Sequence, residues 1–115
     1  MMSAPTIDAA TFDALKETTG AEFVLELVDT FLQEAPVMLD DLRRAMVAGD
    51  AERFRRAAHS LKSNSNTFGA LALAAMAREL ELGGLPTAAA GEPSLDALDQ
   101  EYSRVAAALA ALRHA

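Results

Sequence analysis

The sequence predicts an all-α protein: an antiparallel up-down four-helix bundle with a short extra N-terminal helix. Three observations carry that expectation. Alanine, leucine and glutamate abound, aromatic residues make up 5% of the 115, and tryptophan is absent. Few runs are β-branched, so intrinsic preference favours helix over strand. Apolar residues recur at spacings of three and four through most of the chain, which gathers them on one helical face. Glycines cut this pattern into segments joined by short connections, as in helices that pack beside their sequence neighbours.

The elements follow in order. Met1–Thr6 reads as a frayed leader. Ile7–Thr18 is a short helix with Asp8 as N-cap; Phe12 and Leu15 share a face and Gly20 ends it. It is expected to pack across one end of the bundle. Ala21–Val47 reads as a long second helix, its stripe running through Val24, Leu27, Val28, Phe31, Ala35, Met38, Leu39, Leu42 and Met46. Pro36 lies inside it. An internal proline removes a backbone hydrogen bond and clashes with the preceding turn, at about 3 kcal/mol. The stripe stays in phase across Pro36, so one kinked helix is expected rather than two. Gly49 is the stop signal and Asp50 the N-cap of the next helix.

The third helix covers Ala51–Thr67 and is closed by Gly69. The fourth covers Ala70–Leu82, burying Leu73, Met76 and Leu80 or their neighbours, and Gly83 and Gly84 terminate it. Residues 85–93 are rich in Gly, Pro and Ala and read as a loop before the last helix. Ser94 is the expected N-cap there. Leu95, Leu98, Tyr102, Val105, Leu109 and Leu112 then form a heptad-like seam suited to bundle packing. Residues 1–115 read as a single domain without internal repeats. A monomer is expected, because one bundle satisfies every seam.

Composition excludes several functions. The chain is 51% apolar, with no cysteine and a net charge of −7. Disulfides, thiolate chemistry and Cys-ligated metals are therefore absent. Nucleic acid is a poor partner for so acidic a chain. Met1–Thr6 lacks the basic and apolar regions of a signal peptide, and no run of about 18 apolar residues could span a membrane. A cytoplasmic location is expected. The charge reverses locally, however: Glu52–Lys62 holds four basic residues and one acidic.

That basic segment surrounds His59. Phe54, Ala57, Ala58, Leu61, Ser65 and Phe68 form the core stripe of the third helix. With about 100° between successive residues, His59 falls instead on a polar stripe with Arg55, Arg56, Lys62, Ser63 and Asn66. A surface histidine without a role is the plain alternative. A metal site is disfavoured, because the neighbours are cations and serine rather than converging ligands. Nucleophilic hydrolysis lacks an orienting acid on the stripe and an oxyanion loop. No P-loop or kinase signature is present to bind ATP. His114, in the tail, reads as passive.

Another role fits the charges. A neutral, exposed imidazole is a nucleophile that can accept a phosphoryl group, whose charge is about −2. Lys62, three residues on, would stabilise that charge and the transfer transition state. Small Ser63, at i+4, leaves room for a docking partner.

The run A-H-S-L-K-S-N-S-N-T-F-G-A, Ala58 to Ala70, resembles the signature of histidine-containing phosphotransfer (HPt) domains. That signature has the form A-H-x-L-K-G with a second glycine ten residues after the histidine. Ala58, His59, Leu61, Lys62 and Gly69 match it. The segment Phe31–Pro36 and the following turn also look like the second helix of these domains. Ser63 departs from the pattern, standing where the family usually has glycine.

The resemblance implies a phosphorelay intermediate. His59 would accept a phosphoryl group from a receiver-domain aspartate and pass it to another receiver. Lys62 would stabilise charge, and Ser63 would admit the receiver and offer a hydrogen bond. On their positions, Arg55 and Arg56 read as secondary cations or partner contacts, with a plain solvated helix face as the equal alternative for each, and Asn66 is a further candidate contact. Gln33 and Glu34 are candidates to approach the imidazole and orient it. The implied partners are response-regulator receiver domains and a hybrid histidine kinase. Mg²⁺ would sit on the receiver, with no cofactor or metal on this chain and no kinase activity of its own. The competing readings are a non-phosphorylated helical adaptor and a module cut from a larger kinase. The latter is disfavoured by the initial methionine and the short tail.

Overall fold

The computed structural model describes residues 5–113. They form five α-helices and no strand: α1 Ala9–Thr19, α2 Ala21–Ala48, α3 Ala51–Thr67, α4 Leu71–Gly83 and α5 Ala88–Arg113. Helix α2 packs against α3 and α5, and α4 packs against the same two, so the four long helices close a cycle. Helix α1 lies against α2 and α3. Most of the predicted leader, and His114, lie outside the described residues. Within the leader, Thr6 is half-buried beside buried Ile7.

The helix starts and stops follow local chemistry. Asp8 caps α1: its Oδ2 accepts from the Thr11 backbone N–H at 3.0 Å and from the Thr11 hydroxyl at 2.6 Å. These bonds hold the Asp8 carboxyl below its ordinary pKa. Gly49 ends α2 in the left-handed region at φ 68°, and Asp50 Oδ1 caps α3 by accepting from the Arg53 N–H at 3.1 Å.

Pro36 leaves α2 as a single helix. Its missing N–H would have bonded the Leu32 carbonyl, and the Tyr102 hydroxyl donates to that oxygen instead, across 3.4 Å. Tyr102 also sets its ring edge-on to Phe31, centroids 6.1 Å apart, while Phe31 meets Phe68 at 5.1 Å. One aromatic group thus ties α2 and α5 to the end of α3.

The largest correction concerns residues 85–93. The loop there is confined to the residues before Ala88; α5 begins at Ala88 and runs through Pro93, with Ser94 exposed inside the helix. Thr87 starts it, its Oγ1 accepting from the Ala90 N–H at 3.3 Å. Three tertiary contacts offset the cost of Pro93. Gly91 is buried, and an added Cβ would collide with Met46 and crowd Pro86. Arg43 of α2 reaches Glu92 at 3.1 Å, Asp96 at 2.9 Å and Asp99 at 2.6 Å, binding the first turns of α5. At the other end Arg113 grips Asp29 with two bonds of 2.8 and 2.9 Å. Two smaller differences follow from packing. Leu112, the last seam residue, is 39% exposed. On α4 Leu73, Ala74 and Ala77 are buried, whereas Met76 and Leu80 are only partly covered.

Gly69 explains a glycine that the sequence marked only by position. It sits at φ +80°, its carbonyl accepts the Asp8 N–H at 2.8 Å, and an added Cβ would come within 2.9 Å of the Asp8 carbonyl oxygen. Helix α1 therefore rests on the α3–α4 turn through a backbone contact that no side chain permits.

Two stability outcomes are expected. Gly69→Ala lowers the unfolding free energy by about 2 kcal/mol or more, from left-handed strain and the displaced Asp8 backbone; a urea midpoint equal to wild type refutes the contact. Ser65 is fully buried and its hydroxyl has no partner. An orphaned buried polar group costs roughly 1–3 kcal/mol. Ser65→Ala is therefore expected to raise stability by about 1 kcal/mol, read from the same titration.

Candidate functional site

Helix α3 has two faces with different duties. Phe54, Ala58, Leu61 and Ser65 are each 0% exposed. They anchor one face against α2 and α4. The opposite face carries His59, whose side chain is 54% exposed. Lys62 stands one turn on, 24% exposed. Exposed Ser63 lies on the same crest, where residues four apart are neighbours.

The imidazole is held from α4. Glu81 Oε2 lies 2.6 Å from His59 Nδ1, and Glu81 Oε1 lies 2.7 Å from Lys62 Nζ. The Glu81 side chain is 13% exposed, so both bonds form in a largely desolvated carboxylate. The Lys62 bond, then the His59 bond, hold the Glu81 carboxyl below its ordinary pKa, against the opposing effect of burial. An ionised carboxylate only accepts hydrogen bonds. In the neutral ring the proton therefore belongs to Nδ1, and Nε2 carries the lone pair. A carboxylate that fixes a histidine tautomer through one nitrogen makes the other the reactive one.

Some expected partners are elsewhere. Gln33 and Glu34 are exposed on α2, and the ring's hydrogen bond goes to Glu81 instead. Arg55 is engaged by Glu52 at 2.7 and 3.3 Å, whereas Arg56 reaches Glu52 only at 3.9 Å. Arg56 is therefore the freer cation beside His59. It lines a groove of about 370 Å³ between α2 and α3 with Met38, Asp41, Arg53, Ala57 and Ser60. Asn66 is exposed, its carbonyl accepting the Gly69 N–H at 3.1 Å. Among the described residues no cluster of three or more His, Asp or Glu could hold a metal, and no helix is long and apolar enough to cross a membrane.

Glu81 is the residue that sequence reasoning missed. The absence of an acid on the His59 stripe holds for α3 alone. A signal existed in α4: Ala74 and Ala77 are buried, and Glu81 continues that stripe at i+4. A carboxylate on a buried stripe requires a partner.

The described residues thus form an all-α molecule that presents a carboxylate-held histidine beside a lysine on an exposed helix face. Residues 26–115 match the model of the Hpt domain, and the chain belongs to that family. The fold is similar to the crystal structure of histidine-containing phosphotransfer protein B (HptB) from Pseudomonas aeruginosa PAO1. The TM-score is 0.84 at 31% identity, with 97% of each chain covered. No curated protein sequence matches the chain.

The pH dependence of stability follows from Glu81. Its folded pKa is depressed, so the stabilisation is complete above the ordinary value of 4.5 and is lost as the pH falls through the lower, folded value. The gap in thermal midpoint between wild type and Glu81→Gln is expected to be widest near neutrality and to close in that acid range. A gap that does not change with pH would exclude the ion pair as its source.

Proposed function

We propose that this chain is a phosphorelay intermediate in which His59 Nε2 accepts a phosphoryl group from a receiver-domain aspartate and later yields it to another. The observation that carries this reading is the Glu81–His59 Nδ1 bond of 2.6 Å, which leaves Nε2 open to a partner. The lone pair on Nε2 attacks phosphorus in line as the receiver's aspartate departs. Lys62, one turn from His59 and held by Glu81, is the cation assigned to stabilise the transferred charge. Ser63 keeps the approach open and offers a hydroxyl to the phosphoryl oxygens. Arg55, Arg56 and Asn66 meet the receiver along the same face, with Gln33 and Glu34 contributing from α2.

The reaction as proposed uses Mg²⁺ held by the receiver, with a hybrid histidine kinase upstream and no ATP site on this chain. The chain acts as a cytoplasmic monomer and as one domain over residues 1–115. An antiparallel, up-down bundle of α2 to α5 is the arrangement we infer. Arg43 joining the end of α2 to the start of α5, and Arg113 joining the end of α5 to the start of α2, support it.

The test is transfer of label from a phosphorylated receiver. Wild type is expected to acquire acid-labile, base-stable label that His59→Gln lacks, and equal labelling of the two would sink the assignment. Lys62→Ala is expected to slow transfer by about tenfold or more while the helical circular dichroism is retained.

A further inference from the structure

The first turns of α5 bury almost nothing of their own. Of residues 88–94, Gly91 alone is buried, and it has no side chain; the buried seam of the helix begins at Leu95 and Leu98. Local chemistry also opposes a helix there. Pro93 has no N–H for the Ala89 carbonyl, and its ring disfavours helical backbone at Glu92, the residue before it. Glycine inside a helix is the weakest former after proline.

The same helix has a second, shorter start open to it. Ser94 is a residue type favoured at N-caps, and Asp96 would then lie in the first turn, where a carboxylate suits the helix dipole. Pro93 would stand outside the helix and cost it no bond. What seats the longer helix comes from neighbouring segments. Gly91 packs so closely on the Met46 sulfur of α2 that a Cβ there would collide with it, and Pro86 lies 3.0 Å from the same point. Glu92 pairs with Arg43 at 3.1 Å, but their side chains are 58% and 31% exposed, so water and salt weaken the pair.

We propose that residues 88–93 are a strap with two states: wound and seated on Met46, as in this structure, or unwound with α5 starting at Ser94. Opening gives up the Gly91–Met46 contact and the Arg43–Glu92 pair. Asp96 and Asp99, the other partners of Arg43, lie beyond Pro93 and stay paired in both states. Opening also uncovers Met46, otherwise partly buried, beside Val47, which is 85% exposed. The end of α2 thereby gains an apolar surface that the closed molecule hides, and salt favours it by screening the strap's ion pair. Helix α4 is closed ahead of the strap by the Gly84 N–H, which donates to the Leu80 carbonyl at 3.2 Å. The device is therefore independent of the phosphoryl-acceptor reading of His59.

Amide hydrogen exchange of the full chain, read residue by residue by NMR, tests the strap. In the wound state the amides of Gly91, Glu92, Ser94 and Leu95 bond to carbonyls four residues back; in the unwound state they are free. In wild type these four are expected to exchange about tenfold or more faster than Leu98 and Val105, which are helical in both states. Pro93→Ala is expected to slow them about tenfold or more, by restoring the missing bond and freeing Glu92 to be helical. Gly91→Ala separates seating from simple fraying. Alanine is the better helix former, so fraying alone predicts slower exchange, whereas a Cβ that unseats the strap from Met46 makes it faster. Faster exchange is expected, with Leu98 and Val105 unchanged. Raising salt to about 1 M is expected to speed the four amides relative to Leu98 in wild type, and to leave them unchanged in Glu92→Gln. Protection of the four equal to that of Leu98, slower exchange in Gly91→Ala, an unaltered rate in Pro93→Ala, or a wild-type rate indifferent to salt overturns the proposal.

Discussion

Helix α3 must bury one face completely while leaving the other open, and the remaining helices are placed by that demand. Phe54, Leu61 and Ser65 on its inner face are fully buried, so α2 and α4 have to flank it closely. The outer face is then fixed to within a rotation of the helix. A residue advances about 100° around the axis, so a core stripe at Phe54, Ala58, Leu61 and Ser65 leaves His59 facing solvent. Packing and chemistry are coupled through one register.

The closing helix shows how tertiary contacts overrule local preference. Read locally, Gly91, Pro93 and Ser94 suggest a loop that ends in an N-cap. In the structure they lie inside α5 because the adjoining surface of α2 favours a helix there. Gly91 admits the Met46 side chain, and the Arg43 guanidinium collects three carboxylates spaced along one face. The same logic keeps α2 whole across Pro36, where a hydroxyl from α5 meets the carbonyl that the proline leaves free. Both prolines thus lie on the pair of helices that Arg43 and Arg113 clamp at opposite ends.

At the functional site the decisive group comes from outside the motif. His59 and Lys62 are on α3, but the carboxylate that bridges them belongs to α4. Its near burial makes the arrangement stiff: Glu81 cannot turn to solvent without abandoning two charge-assisted bonds. Under the proposed function, an exposed histidine backed by a nearly buried carboxylate suits a protein whose reaction partner must dock, react and leave. The open side of the ring needs no pocket of its own.

By itself the sequence determined the helical class, the boundaries of α3 and the nature of its outer face. Asp50, Gly49 and the three-and-four spacing are local signals that act within a few residues, and His59 and Lys62 share the exposed crest through helical geometry alone. It also marked Gly69, though only by spacing. What the tertiary structure decided is everything that depends on a contact between distant segments. Glu81 faces His59 across 22 positions, Tyr102 reaches Leu32 across 70, and Arg43 gathers Glu92, Asp96 and Asp99. Gly69 is a glycine because the Asp8 backbone lies where a Cβ would be. Such pairings are set by how the helices rotate and slide against one another to fill the core, and no period along the chain encodes them.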